Sequence, residues 1–211
     1  LSGYAIYSHI SQSYATGPVF GASAGGLVGT LDYRSSISQS YASGPVTGTV
    51  VGAGFERLGG LVGWALSATV DRAYATGSVT GSATSSGGID AGGLIGAEQS
   101  TTVSQAYATG AINTGTLGFE NAAGGLVGNL YSSTVTNSYW DSYSTGSPAG
   151  VRLTDFSTFS ASAVTSDPSQ SAATNYAYGS SAYATFTAGD WTFFTGLTRP
   201  FGAWELPTAV N

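Results

Sequence analysis

The sequence predicts an all-β protein, a parallel β-solenoid of about five coils with an aromatic-rich C-terminal capping segment. Three observations carry this. The pentapeptide GGLVG begins at Gly25, recurs at Gly59 and Gly124, and appears as GGLIG at Gly92. A tyrosine follows each of these glycines at an interval constant to within one position: Tyr41 after Gly25, Tyr74 after Gly59, Tyr107 after Gly92 and Tyr139 after Gly124. β-Branched residues keep step with the tyrosines: Ile37, Val70, Val103 and Val135 stand four positions before them, and Val46, Val79 and Ile112 five positions after the first three. Tyr14, with Ile10 and Val19, belongs to the same series.

The first glycines of the pairs, Gly25, Gly59, Gly92 and Gly124, set a nearly constant period. It falls in the range of solenoid or propeller repeats, roughly 20–50 residues. A composition led by Gly, Ser, Thr, Val and Tyr argues against helical repeats. A propeller blade needs about 40 residues and four strands, and this unit has room for about three short ones. One coil per repeat fits better. Stacked strands lie about 4.8 Å apart, so each position sits over its equivalent in the next coil. A glycine pair suits a corner with positive φ and close backbone approach. The following Leu and Val begin a strand. No coil buries its apolar face alone, so stacking makes the core. The stretch from each tyrosine to the next glycine pair varies. It is short from Tyr14 to Gly25 and longer from Tyr41 to Gly59, Tyr74 to Gly92 and Tyr107 to Gly124. This places insertions in loops on one side.

Alternation sets the direction of the tyrosines. In SYATGPV, the positions flanking the tyrosine hold Ser or Ala and then Ala, whereas Gln12, Gln39, Arg72 and Gln105 stand two residues before it. Alternate strand residues share a face. The small residues should face inward, and Tyr14, Tyr41, Tyr74 and Tyr107 should form an exposed contact column. A bend just before the tyrosines would upset this parity and make them core. The fifth unit reads NSYWD, with Trp140 in an alanine position. A large ring there suits a terminal coil, where it plugs the core.

The repeat covers residues 1–141. Residues 142–211 lose the period and end dense in aromatics, from Tyr176 to Trp204. They read as a cap over the last coil that blunts its strand edge, with residues 157–175 as a loop. Leu1 aligns with Leu61, in mid-repeat, and the sequence has no methionine and no signal peptide. A piece of a longer precursor, or a processed product, is expected.

Composition narrows the function. All five basic residues are arginine, and the net charge is −6. A phosphate-tracking groove needs clustered positive charge, so nucleic acid is not an expected partner, nor is an anionic membrane. No apolar run reaches the ~18 residues of a spanning helix. Cysteine is absent, which removes disulfides, thiolate chemistry and Cys-based zinc sites. His9 is the only histidine and has no acidic residue near it in sequence, so it is a poor member of a catalytic triad. No catalytic residue, cofactor or firm metal site is expected. Glu56, Asp90 and Glu120 precede three glycine pairs by three, two and four positions. They are the weak calcium candidates, because stacked carboxylates suit that ion.

GGLVG followed by SYATG resembles the GLUG-type repeats of large bacterial exoproteins, among them filamentous-haemagglutinin-like adhesins secreted by the two-partner route. NSYWD followed by GLTRPFGAWE is similar to the segment that closes such arrays. The resemblance implies a secreted or surface-attached solenoid of Gram-negative type. The expected role is structural and adhesive, contacting itself, neighbouring solenoid segments, or surface glycans and matrix. A polysaccharide-acting enzyme is the alternative, decided by whether carboxylates gather in a cleft. Ice binding would need a flat threonine array, and Thr16, Ser43, Thr76 and Thr109 give one residue per coil.

Overall fold

The structure, a computed structural model, describes residues 2–48, 55–81, 88–115 and 122–206. Its repeats form a parallel β-solenoid with four sheets running along the stack. Sheet A contains Ser2–Ile6, Val28–Asp32, Val62–Leu66, Ile95–Gln99, Val127–Tyr131 and Val151–Asp155, in that spatial order. Sheet B carries the tyrosines, on Ser36–Ala42, Thr69–Ala75, Thr102–Ala108 and Thr134–Asp141, with His9–Ser11 and Tyr14–Ala15 at one end and Thr158–Val164 at the other. Sheet C is built from two-residue strands such as Val46–Thr47 and Val79–Thr80. Sheet D holds the strands that enter each glycine pair, Ser23–Gly25, Phe55–Gly59, Gly88–Gly92 and Ala122–Gly124. A full coil therefore has four strands, one more than the sequence suggests.

Every landmark stacks on its equivalent. Gly25, Gly59, Gly92 and Gly124 are in register, and so are Tyr14, Tyr41, Tyr74, Tyr107 and Tyr139. The stack is longer than about five coils. Val151–Asp155 and Thr158–Val164 add a sixth rung, pairing in parallel with Val127–Tyr131 and Thr134–Asp141. Strand pairing thus runs past Asp141, and residues 157–175 begin with a strand rather than a loop. The reason lies in TFSASAV, whose alternation turns Phe159, Ala161 and Ala163 toward the core without the glycine and tyrosine landmarks. Trp140 lies in that core beside Phe159, ring centroids 6.1 Å apart. It is a plug, but one more rung covers it.

The glycine pairs do mark a corner, for a reason other than positive φ. Among the described glycines only Gly115, Gly146, Gly189 and Gly196 have positive φ. At the pairs, space is the constraint. A β-carbon on Gly59 would lie 2.8 Å from the Leu94 carbonyl oxygen and collide with that of Val62. On Gly60 it would lie 2.8 Å from Cβ of Ala75, and on Gly93 2.8 Å from Cβ of Ala108. The second glycine of GGLVG and the alanine of SYATG are thus two sides of one contact across the coil. The left-handed backbone falls on non-glycine residues instead, and in the tyrosine strands on polar ones. Gln12, Gln39, Arg72, Gln105 and Asn137 all have φ between 47° and 50°.

The main core lies between sheets A and B and includes Leu27, Leu31, Ile37, Leu61, Val70, Leu94, Val103, Leu126 and Leu130. A smaller one joins sheets C and D through Val46, Leu58, Val79 and Ile89. One charged residue sits within the first. Glu98 is 2% exposed and lies in register between Ala65 and Leu130, both core residues. Neither carboxylate oxygen has a hydrogen-bond partner among the described residues. Burial alone raises its pKa well above the ordinary glutamate range.

Substitutions at the corner and at Glu98 test this packing. Gly93→Val should lower stability by about 1–3 kcal/mol through overpacking, whereas Gly3→Ala, with nothing within 4 Å of the added carbon, should cost nothing measurable. Urea midpoints at unchanged slope check both. Glu98 holds its proton in the folded chain and releases it on unfolding once pH exceeds about 4.3. Its contribution is therefore fully present at lower pH and lost as pH rises toward the folded pKa. Glu98→Leu should raise the midpoint at pH 7 and flatten the decline between about pH 4.5 and 7, read as the difference between the two titrations.

Candidate functional site

The five aligned tyrosines form a ladder on the outer face of sheet B. The rings of Tyr41, Tyr74, Tyr107 and Tyr139 belong to a cluster separate from the solenoid core. Tyr41 and Tyr74 stack at 4.8 Å and 4°, Tyr74 and Tyr107 at 4.8 Å and 3°, and Tyr14 and Tyr41 at 5.3 Å and 10°. The tyrosines thus face away from the core while the alanines flanking them face into it. A bend precedes them, at the left-handed residue two positions earlier. It lets the β-branched residue before it and the alanines after it both face inward, as Val70, Ala73 and Ala75 do, and leaves the tyrosine outside.

Exposure is where the expectation fails. Tyr14 is 61% exposed and Tyr41 half-buried, but Tyr74 is 6% and Tyr107 3% exposed. The C-terminal segment covers them. It packs along the side of the stack as well as extending its end. Trp191 lies 6.2 Å from Tyr74 and 5.6 Å from Tyr107, and Tyr183 and Phe186 each lie 5.0 Å from Tyr139. The Tyr74 hydroxyl donates to Glu205 Oε2 at 2.8 Å, and the Tyr107 hydroxyl to the Pro200 carbonyl at 2.6 Å. Tyr139 accepts from the Thr185 amide at 3.0 Å. Burial raises the pKa of Tyr74 and Tyr107, and Glu205 adds to both shifts, so these rings stay neutral donors.

The left-handed residues hold the same segment. Arg72 reaches Asp190 at 3.3 Å. The Gln105 amide donates to the Thr187 hydroxyl at 2.6 Å and accepts from the Thr187 amide at 2.9 Å. Asp141, fully buried, fastens the far end. It accepts from the amides of Tyr143, Ser144 and Ser166 and from Arg199 Nη2 at 2.6 Å. Burial pushes its pKa up, but the bonds from Ser166 and Arg199 outweigh that and hold it below the usual range. Sequence reading missed Asp141 and Arg199, because they stand far apart in the chain and share no motif.

The uncovered end of the ladder is a groove of about 310 Å³, lined among others by Gln12, Tyr14, Gln39, Tyr41, Trp204 and Glu205. Of the weak calcium candidates, Glu56 and Asp90 are not brought together. Glu56 pairs with Ile89, and Asp90 with Arg57, so the two carboxylates point to opposite faces of sheet D. Both are buried. Asp90 accepts from Asn129 at 3.5 Å, and burial pushes its pKa up to about 7 against Asn129 and Arg57. Glu120 lies outside the described residues. No three His, Cys, Asp or Glu side chains group as a metal site among the described residues. His9 Nδ1 is 2.8 Å from the Ser36 hydroxyl on the exposed surface. No described helix is long and apolar enough to cross a membrane.

The family model of the GLUG motif matches residues 56–80. That span begins in sheet D, turns at Gly59 and Gly60, and ends in sheet C, so it is one coil. The motif is found in β-helix repeat proteins. No curated protein matches the sequence.

Asp141→Ala should release the segment from the ladder. Removing one partner of a buried ion pair costs about 3–5 kcal/mol. The emission of Trp191, buried in the wild type, should shift to the red. Because the folded pKa of Asp141 is depressed, the wild type should keep this stability above about pH 4 and lose it as pH falls through the folded value. The variant should lack that acid dependence.

Proposed function

We propose that this β-helix repeat chain is a non-enzymatic, structural and adhesive segment of a secreted or cell-surface bacterial protein. The filamentous-haemagglutinin-like exoproteins of Gram-negative bacteria are the proposed context. Its contact surface is the uncovered end of the tyrosine ladder, meeting neighbouring solenoid segments, another copy of the chain, or surface glycans. One observation carries this reading. The same face, further along the stack, already binds a polypeptide through tyrosine rings, tyrosine hydroxyls and the left-handed polar residues. Tyr14 offers that chemistry exposed, and Tyr41 half-buried at the edge of the covering segment. Tyr4 on sheet A and Phe20 on sheet C are exposed as well.

The enzyme alternative needs two carboxylates flanking a bound glycosidic bond. Among the described lining residues the groove holds one, Glu205, already engaged by Tyr74 and by the Gly202 amide at 2.7 Å. This supports the adhesive reading over the hydrolytic one.

Tyr14→Ser should change stability by no more than about 0.5 kcal/mol yet weaken adhesion of the purified chain to cells or matrix. Tyr74→Ser should destabilise by about 3–5 kcal/mol, as expected for a buried aromatic. Adhesion assays beside urea melts separate the two. Undiminished adhesion by folded Tyr14→Ser would defeat the proposal.

A further inference from the structure

We infer that the groove at the open end of the ladder binds a neutral hexopyranose, presented as a terminal or exposed unit of a glycan. This deepens the adhesive reading and rests on it. Three properties of the groove select such a ligand. The first is its aromatic surface. Tyr14 and Tyr41 are stacked and fixed by register, and Trp204 is held against Trp191 at 5.2 Å and 70°. A pyranose has one face of axial C–H groups, which packs on aromatic carbon, while its hydroxyls point outward to polar partners. Aromatic side chains suit a ligand that is apolar on one side and wet on the other.

The second property is the polar set. Gln12 and Gln39 each bring an amide with two donors and an acceptor, which matches vicinal hydroxyls. Their backbones are fixed at φ 48° and 47° by the corner. Glu205 is fixed too, by Tyr74 and the Gly202 amide. A carboxylate has about four acceptor positions, so those two bonds leave room for sugar hydroxyls. No basic side chain is among the described lining residues, and Glu205 carries the groove's charge. An acidic sugar would meet repulsion, so the ligand is neutral.

The third property is shape. About 310 Å³ lies at the small end of ligand sites, which run from about 300 to 1,000 Å³. Trp204 and Glu205 of the covering segment line the groove together with the first two rungs. The space suits a compact ring.

The test is titration of the folded chain with methyl glucoside, methyl galactoside, methyl mannoside and N-acetylglucosamine, with glucuronate as the charged comparator. The readout is the indole resonance of Trp204. At least one neutral sugar should saturate with Kd on the order of 1 mM, with glucuronate weaker. Tyr14→Ala and Gln39→Ala should each weaken binding at least about tenfold, and Gln39→Ala decides the matter if Tyr14→Ala does not fold. Absence of saturation by every neutral sugar, equal binding of glucuronate, or wild-type affinity in the folded variants would overturn the inference. So would a concentration-dependent dimer that Tyr14→Ala abolishes in a chain that binds no sugar, which would make the groove a self-contact. Adhesion measured in parallel separates the two readings. Adhesion without sugar binding overturns this inference and leaves the adhesive role standing. Sugar binding without adhesion supports the inference and removes the adhesive role.

Discussion

Each coil closes at a corner with no room for a side chain, and the rest of the molecule depends on that. Strands of sheets D and A meet there almost backbone to backbone. A β-carbon on Gly63 would lie 2.8 Å from the Arg57 carbonyl oxygen, and one on Gly96 2.5 Å from the Leu58 nitrogen. Backbone packing this close leaves no freedom of register. Once Gly59 pairs with Gly92, and Gly92 with Gly124, the positions of the tyrosines that follow are set as well. Close packing also explains the alanines of the tyrosine strand, because Ala75 and Ala108 face Gly60 and Gly93. The last repeat tests the rule. Trp140 replaces the alanine, its ring fills the space beside Gly125, and a β-carbon on Gly125 would run into that ring. Glycine is required there by a different neighbour.

The ladder is a consequence of the register. Parallel in-register strands stack identical side chains at the strand spacing, so five outward tyrosines become an aromatic strip whether or not a ligand exists. Such a strip left bare on a soluble protein is an association surface. Here the chain covers three of its five rings with its own C-terminal segment, using Trp191, Phe186 and Tyr183. Asp141 couples that cover to the solenoid. One buried carboxylate caps the helix Ser142–Thr145, takes the Ser166 amide and pairs with Arg199. The stack and its side cover are therefore one folding unit at that end.

The repeat made most of this legible. Landmark spacings gave the parallel stack, the rung-by-rung register and the outward tyrosines. They gave the glycine corner its place but not its cause, since a pair of glycines reads equally as positive φ or as lack of space, and only neighbouring coils decide. The sixth rung escaped because TFSASAV carries alternation without the motif. The covering of Tyr74 and Tyr107 escaped for a deeper reason. Burial by a segment far along the chain leaves no local period, and an aromatic-rich tail is compatible with capping the end or lining the side. Glu98 was invisible for the same reason: its position in GGLIGAEQ gives no sign that it lies between Ala65 and Leu130.

What distinguishes one coil's outer face from another is the residue in the left-handed corner two positions before the tyrosine. Its backbone is the same in each coil, with φ 48°, 47°, 50° and 47° at Gln12, Gln39, Arg72 and Gln105. Its side chain is free of core duty, because the positive φ carries it off the inward row. The coils use this freedom. Arg72 takes an acidic partner, Asp190, and Gln105 takes both the hydroxyl and the amide of Thr187. Gln12 and Gln39 line open space beside uncovered rings. The ladder supplies an aromatic surface on the five rungs that carry the tyrosine, and at Arg72 and Gln105 the corner residue supplies the polar group that holds the segment lying on it. The contact with the C-terminal segment is thus written at positions that the packing of the solenoid leaves unconstrained. A fold held in register by glycine can therefore present a different contact at each rung without altering its core.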